Sequence, residues 1–266
     1  MKAMHFLKKA APLTPGLSKS RKVLRALCLI LLLGNFPAHS QPDTLRVLFV
    51  GNSFTFFNNL PQMVSAMAAS QDVAIFTRQS TVGGSNLEQH WKGERGTKTM
   101  AMLDSADWDY VVLNNHSLSA IEDPDGFLEY GRKFAEHIRN KGAKPVFMMT
   151  WAYKSNPLMQ KEISERYAQL AAETGSDYVP CGPLFASARQ WRPDLEMFFD
   201  DKHPSPNGTY LLALAFYKFL SGKTVMGIPH RLATKDLFGE KLYLVFMNEE
   251  DAKFLQQLTE EFDFSH

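Results

Sequence analysis

Cysteine is nearly absent from this chain: there are two in 266 residues, Cys28 and Cys181. Only Cys181 lies beyond the first forty residues, so the remainder cannot close an internal disulfide and must rest on its core. A lone cysteine of this kind is expected to be buried and inert. Long apolar runs near the N-terminus are lacking too. The run from Ala26 to Gly34 is nine residues, against the roughly 20 that a membrane-crossing helix needs. There is no low-complexity tract, no internal repeat and no linker-like stretch. No basic run or stripe is present, which removes support for nucleic-acid binding.

What is present divides unevenly. The first forty residues carry seven basic side chains (Lys2, Lys8, Lys9, Lys19, Arg21, Lys22, Arg25) and no acid; the first acid is Asp43. A basic start, a short apolar run and small residues at Ala38 and Ser40 form the pattern of a secretory signal peptide. Cleavage is expected after Ser40, leaving Gln41 first, and the expected location is secreted or periplasmic. The alternative is a retained N-terminal anchor. No cysteine stands near the cleavage position, so no lipid anchor is expected. Without residues 1–40, 22 basic side chains face 28 acidic ones, a net charge of −6. Residues 41–266 read as one domain. At 45% hydrophobic and 21% charged the composition is that of an ordinary globular protein with a sizeable core.

Short apolar runs alternate with helical patterns. Arg46–Val50, Val73–Gln79, Tyr110–Leu113, Pro145–Thr150 and Tyr178–Pro180 read as strands bounded by Gly, Pro and Asp. Helices are expected over Asn59–Ser70 and after Asp125, read as an N-cap, with Gly142 past its end. Others open at Asn156-Pro157 and close at Gly175, or span Pro206–Leu220 and Asn248–Phe262. Strand–helix alternation points to a parallel sheet covered on both faces. Lys223–Tyr243 yields no clear pattern.

In such a sheet the ligand site lies beyond the carboxyl ends of the strands. Three segments fall there. Gly51-Asn52-Ser53-Phe54-Thr55 follows the first strand, where a serine points into the crevice near free backbone N–H groups. Asp200-Asp201-Lys202-His203 precedes the long apolar helix; a carboxylate three residues before an imidazole can fix its tautomer. Thr81-Val82-Gly83-Gly84-Ser85-Asn86 and Asn114-Asn115-His116-Ser117 follow the second and third strands. Their backbone N–H groups and amides are of the type that stabilises an oxyanion. Each segment alone reads equally as a turn or a cap.

Their order along the chain is more specific. From about Arg46 to Leu220, with RVLFVGNSFT at one end and DDKHPSPNGTYLLALAFY at the other, the sequence resembles the SGNH (GDSL-like) hydrolases, in a branch with Gly-Asn-Ser. The resemblance implies a three-layer α/β/α sandwich with a central parallel sheet, flavodoxin-like, and a serine esterase that uses no cofactor and no metal. It implies Ser53 as nucleophile, His203 as base and Asp200 as the orienting acid, with Asp201 the competitor for that last role. The oxyanion hole would be lined by the N–H groups of Ser53 and Gly84 (or Gly83). The family's Gly-x-Asn after the third strand is here Asn114-Asn115-His116-Ser117, so either Asn114 or Asn115 would be the third donor. Asn114, the first residue past the apolar run, is preferred.

The expected substrate is a small-molecule or polysaccharide ester. Trp91, Trp108, Trp151 and Tyr153 near strand ends could stack on sugars, although core or rim packing is the commoner role for such residues. Two other readings compete. Asp200, Asp201, His203, His90 and His116 could hold the metal of a phosphoesterase. A non-catalytic carbohydrate-binding protein could share the fold.

Overall fold

Five strands and the helices between them build the part of the molecule that carries the candidate site. The computed structural model describes residues 44–264; the expected leader, residues 1–40, lies outside them. In chain order the elements are β1 (Leu45–Gly51), α1 (Ser53–Phe56), α2 (Leu60–Ala69), β2 (Ile75–Thr81), α3 (Leu87–Lys92), α4 (Thr99–Asp104) and β3 (Tyr110–Leu113). There follow α5 (Ser119–Glu122), α6 (Pro124–Asn140), β4 (Lys144–Met148), α7 (Met159–Thr174), β5 (Asp177–Val179) and α8 (Cys181–Trp191). The chain continues with α9 (Pro206–Ser221), β6 (Arg231–Lys235), β7 (Lys241–Phe246) and α10 (Glu249–Glu261). The strand order is β2-β1-β3-β4-β5, and every neighbouring pair is parallel. This is the three-layer α/β/α sandwich that the resemblance implies.

Side chains on a strand alternate between its two faces. In β1, Val47 and Phe49 enter one buried cluster with Met63 of α2, Leu184 of α8, Phe216 of α9 and Leu255 of α10. Leu48 and Val50 enter the other, with Leu103 of α4, Phe134 of α6 and Leu170 of α7. Both faces are covered, so the central strands read as unbroken apolar runs. Helix α9 is apolar on every side because it is buried on every side: Tyr210 through Tyr217 are all buried. Cys181 also lies in the core, and burial pushes its thiol pKa up, as expected for an inert thiol.

The differences from expectation have local causes. The helix expected to be capped by Asp125 is capped by Asp123, whose carboxylate accepts the Gly126 N–H at 3.1 Å; Pro124 then occupies the first turn, which suits it. The helix expected at Asn156-Pro157 begins at Met159. The edge strand β2 runs to Thr81, two residues beyond the expected end, because an edge strand with one solvated side has no continuous apolar run. Helix α8 is an addition to the expected elements, with Pro183 in its first turn, where a missing N–H costs nothing. An antiparallel hairpin, β6–β7, begins within the unreadable Lys223–Tyr243 and runs three residues past it, and its Leu232 and Val245 pack into the core.

One buried histidine joins the strand ends beneath the crevice. His90 is 0% exposed. Its Nε2 lies 2.9 Å from the Gly51 carbonyl and 2.8 Å from Ser85 Oγ, and its Nδ1 lies 2.6 Å from Thr99 Oγ1. The carbonyl partner makes Nε2 the protonated nitrogen. Burial holds the pKa down at about 4, the bond to Gly51 opposing the shift. The folded value thus lies below that of the unfolded chain, about 6.5. The stability His90 contributes is complete above about pH 6.5 and is lost as pH falls toward 4. Urea midpoints measured from pH 7 to pH 4 should show the protein losing on the order of 3 kcal/mol more than its His90→Gln variant. Parallel curves for the two proteins would refute this.

Candidate functional site

The site begins where β1 ends. Asn52 is almost fully buried, and its carboxamide binds in three directions. Its Nδ2 donates to the carbonyls of Ser85 (2.9 Å) and Asn115 (3.0 Å), and its Oδ1 accepts the Phe54 N–H (3.0 Å). The loops after β1, β2 and β3 are held together by this one side chain. Because Asn52 caps α1 through Phe54, the Ser53 N–H at the first helical position has no intrahelical acceptor. Gly51 allows the close packing underneath: a Cβ there would stand 2.7 Å from Thr55 Oγ1 and 2.8 Å from Asn114 Cβ.

Ser53 meets a histidine 150 residues away in sequence. Its Oγ lies 2.9 Å from His203 Nε2, and His203 Nδ1 lies 2.7 Å from Asp200 Oδ2. The other oxygen, Oδ1, accepts the backbone N–H groups of Lys202 (2.8 Å) and His203 (2.7 Å). Burial raises the Asp200 pKa, but these hydrogen bonds outweigh it and hold the carboxyl at about 2. The ring is also held by aromatic contacts. Phe57 stacks on it with centroids 4.3 Å apart, and Phe54 meets it edge-on at 5.8 Å.

The loop that carries His203 is fastened to the sheet. Asn58 Nδ2 donates to the Pro204 carbonyl (3.1 Å) and Thr209 Oγ1 (2.9 Å), and Trp151 Nε1 donates to the Lys202 carbonyl (2.8 Å). Asn58 and Asn59 are left-handed, with φ of 48° and 57°, a conformation asparagine tolerates better than most residues. Asp201 turns away from His203. It accepts the backbone N–H and the hydroxyl of Ser155, both at 2.8 Å, which ties two loops together and separates its part from that of Asp200.

The donors past β2 and β3 differ from expectation. Gly84 is exposed and left-handed, φ +67°. Of the two asparagines expected to offer the third donor, Asn114 turns its amide into the scaffold. Asn114 is 0% exposed. Its Oδ1 accepts Thr55 Oγ1–H at 3.2 Å and the Asn52 N–H at 3.5 Å, and its Nδ2 donates to the Asn115 carbonyl at 3.0 Å. The Asn115 Oδ1 takes three donors: the N–H groups of Leu87 (3.0 Å) and His116 (2.8 Å) and the Ser119 hydroxyl (3.2 Å). The Asn114 amide holds α1, and the Asn115 Oδ1 holds α3 and α5, against the sheet, while no side chain or backbone group of the described residues accepts from the Asn115 Nδ2. His116 is the next side chain along, and it is half-buried. Burial first and then Lys202 lower its pKa, Glu122 opposing them.

The aromatics sort in a similar way. Trp151 is buried between Phe54 and Phe185, stacked at 4.4 Å and 4.8 Å. Trp108 is buried before β3, at the far end of the sheet, and Trp91 packs on Phe134 and His137. Only Tyr153 of the four stands beside the crevice, its hydroxyl 2.8 Å from Ser117 Oγ. Phe56, Phe57 and the exposed Phe199 line the other side. No group of three or more His, Cys, Asp or Glu side chains converges as a metal site among the described residues. His90 and His116 do not join Asp200 and His203. A cavity of about 740 Å³ lies along α2, the start of β2 and β6, and shares no residue with this constellation.

No protein-family profile matches the chain, and no curated protein matches it in sequence. Its likeness to known proteins is structural. A protein from Slackia heliotrinireducens assigned to the SGNH hydrolases is 25% identical, with a TM-score of 0.58 over 67% of this chain and 100% of that one. A DUF4886 family protein from Bacteroides uniformis is 19% identical, with a TM-score of 0.64 over 82% of this chain and 94% of its own. An acetylxylan esterase from Geobacillus stearothermophilus is 15% identical, with a TM-score of 0.53 over 65% of this chain and 93% of its own. The resemblance expected from the two end segments is met in three dimensions, and the chain has the fold of the SGNH (GDSL-like) hydrolases.

Proposed function

We propose that this protein is an exported serine esterase that removes small acyl groups, such as acetyl groups, from carbohydrate alcohols. One observation carries the reading: the unbroken chain of hydrogen bonds from Ser53 through His203 to Asp200. Asp200 accepts the Nδ1–H of His203, which leaves the Nε2 lone pair facing the serine hydroxyl. Ser53 Oγ attacks the ester carbonyl carbon while Nε2 takes its proton. The tetrahedral intermediate collapses, the imidazolium protonates the departing alcohol, and an acyl-Ser53 remains. Water, deprotonated by the same nitrogen, then releases the acid and restores the serine. The reaction asks for no metal or organic cofactor.

The oxyanion rests on the N–H groups of Ser53 and Gly84. With the Asn114 amide in the scaffold, the third donor is the Nδ2 of Asn115, whose Oδ1 is held by Leu87, His116 and Ser119. Phe56 lies beside Gly83, and Phe57 covers the histidine ring. Apolar walls this close to Ser53 suit a short acyl group. The acetylxylan esterases among the structural neighbours are consistent with a sugar acetate. Export rests on the basic and apolar pattern of residues 1–40. Among the described residues no helix is long and apolar enough to cross a membrane.

The Ser53→Ala variant should lose at least about 10³-fold in p-nitrophenyl acetate hydrolysis and all labelling by a fluorophosphonate. A variant as fast as the parent would end this reading. Asn115→Asp, which keeps the Oδ1 acceptor and loses the Nδ2 donor, should lower kcat about 10²-fold with little change in KM. If Asn115→Asp stays within threefold of the parent, Asn115 is not a donor. Export is checked by N-terminal sequencing of protein from the culture medium or the periplasm. The expected first residue is Gln41, and protein found only inside the cell with residues 1–40 intact would refute it.

A further inference from the structure

The loop between α3 and α4 has a backbone that its sequence does not favour. Gly93 and Gly96 are left-handed, which glycine accepts, but Arg95 between them is left-handed too, with φ 54°. A long, branched-headed side chain rarely takes that conformation, and where one does the surrounding structure imposes it, often at a functional site. The consequence is a direction. The Arg95 guanidinium is brought over the turn after β2, its Nη1 3.7 Å from where a Cβ on Gly84 would stand. That glycine belongs to the loop whose next residue, Ser85, is bonded to Asn52 beside the nucleophile.

A second cation stands on the other side. Lys202 directly precedes His203, its Nζ lies 5.6 Å from the centre of the Tyr153 ring, and its charge acts on His116 past the end of β3. In the sheet order β2-β1-β3-β4-β5, Ser53 at the end of β1 therefore lies between Arg95 over β2 and Lys202 over β3 and β4. Neither cation forms an ion pair among the described residues. The nearest acid in sequence to Lys202, Asp201, is spent on Ser155, and Asp200 is spent on His203. Beyond residue 40 the chain carries a net charge of −6, so two unneutralised cations flanking one serine run against the overall charge.

We propose that the ester taken by this crevice carries a carboxylate on its alcohol side, as a uronic-acid unit does, and that Arg95 and Lys202 bind it. The inference rests on the esterase reading and narrows its substrate. A guanidinium offers a planar pair of donors to a carboxylate, and an ammonium a compact charge. Field lines between the two steer an anionic substrate toward Ser53 and add little for a neutral one.

The test uses the full protein and a matched pair of esters, phenyl acetate and 3-acetoxybenzoate, which differ in one carboxylate. The parent protein should prefer the anionic ester about tenfold in kcat/KM, chiefly through KM, and the preference should shrink as salt is raised. Arg95→Met and Lys202→Met should each cut that preference about three- to tenfold, and Arg95→Lys should keep part of it. The same order should appear with acetylated polygalacturonate set against acetylated neutral xylan. Equal handling of the two esters by the parent, or a preference that both methionine variants leave intact, overturns this inference while the esterase reading stands. Hydrolysis of neither ester overturns the esterase reading and this inference with it.

Discussion

The crevice depends on one buried carboxamide. Asn52 gives both ends of its side chain to backbone groups from three separate loops, two carbonyls and one N–H. A buried polar group left without a partner costs on the order of 1–3 kcal/mol, so each loop is penalised for moving away from the others. Ser53 inherits its position from this arrangement. It needs no strained backbone of its own, because Asn52 in an extended conformation both ends β1 and caps α1. Beneath it, His90 and Asn114 repeat the device with an imidazole and a second amide. The polar network is buried and fully partnered at its centre, which makes it rigid.

The base reaches this platform from the other end of the chain. Bringing residue 203 to residue 53 closes a long loop, and the entropy of closure is met by core packing, chiefly by α9. What the core does not supply is precision at the imidazole. That comes from short-range contacts: Asp200 on one nitrogen, the Phe57 ring on one face, and Asn58 and Trp151 on the backbone to either side. Several of these partners lie in the segment that carries Ser53, so nucleophile and base are held by a common set of groups. Of the two cations that flank them, Lys202 shares its loop with the base, and Arg95 belongs to the loop between α3 and α4.

The interior was legible where both faces of an element are buried. β3 falls at Tyr110–Leu113 as expected, and β1 extends only one residue beyond expectation at each end, because a doubly covered strand leaves an apolar run with sharp polar ends. Legibility failed at edges and at residues with two meanings. β2 has one open side, so its pattern mixes polar and apolar. Pro183 breaks a helix interior but suits a first turn, and only the packing of α8 says which applies. The β6–β7 hairpin carries Leu237 and Phe238 exposed at its tip and Leu232 buried, so hydrophobicity does not mark its inner face.

The sequence by itself determined the order of chemistry along the chain: a serine after the first strand, glycines after the second, amides and a histidine after the third, and an acid three residues before a late histidine. That order sufficed for the fold, because alternation and strand-end position are properties of the chain. It could not say which of Asn114 and Asn115 turns its amide into the scaffold, since neighbours in a loop share spacing and differ only in direction. Nor could it separate Trp151, a core residue, from Phe57, which covers the base. Tertiary structure decided these matters, because the direction of a side chain depends on which partners surround it. The Asn114 amide turned inward because a buried hydroxyl and buried backbone groups required it there, whereas the Asn115 Nδ2 has no acceptor among the described residues.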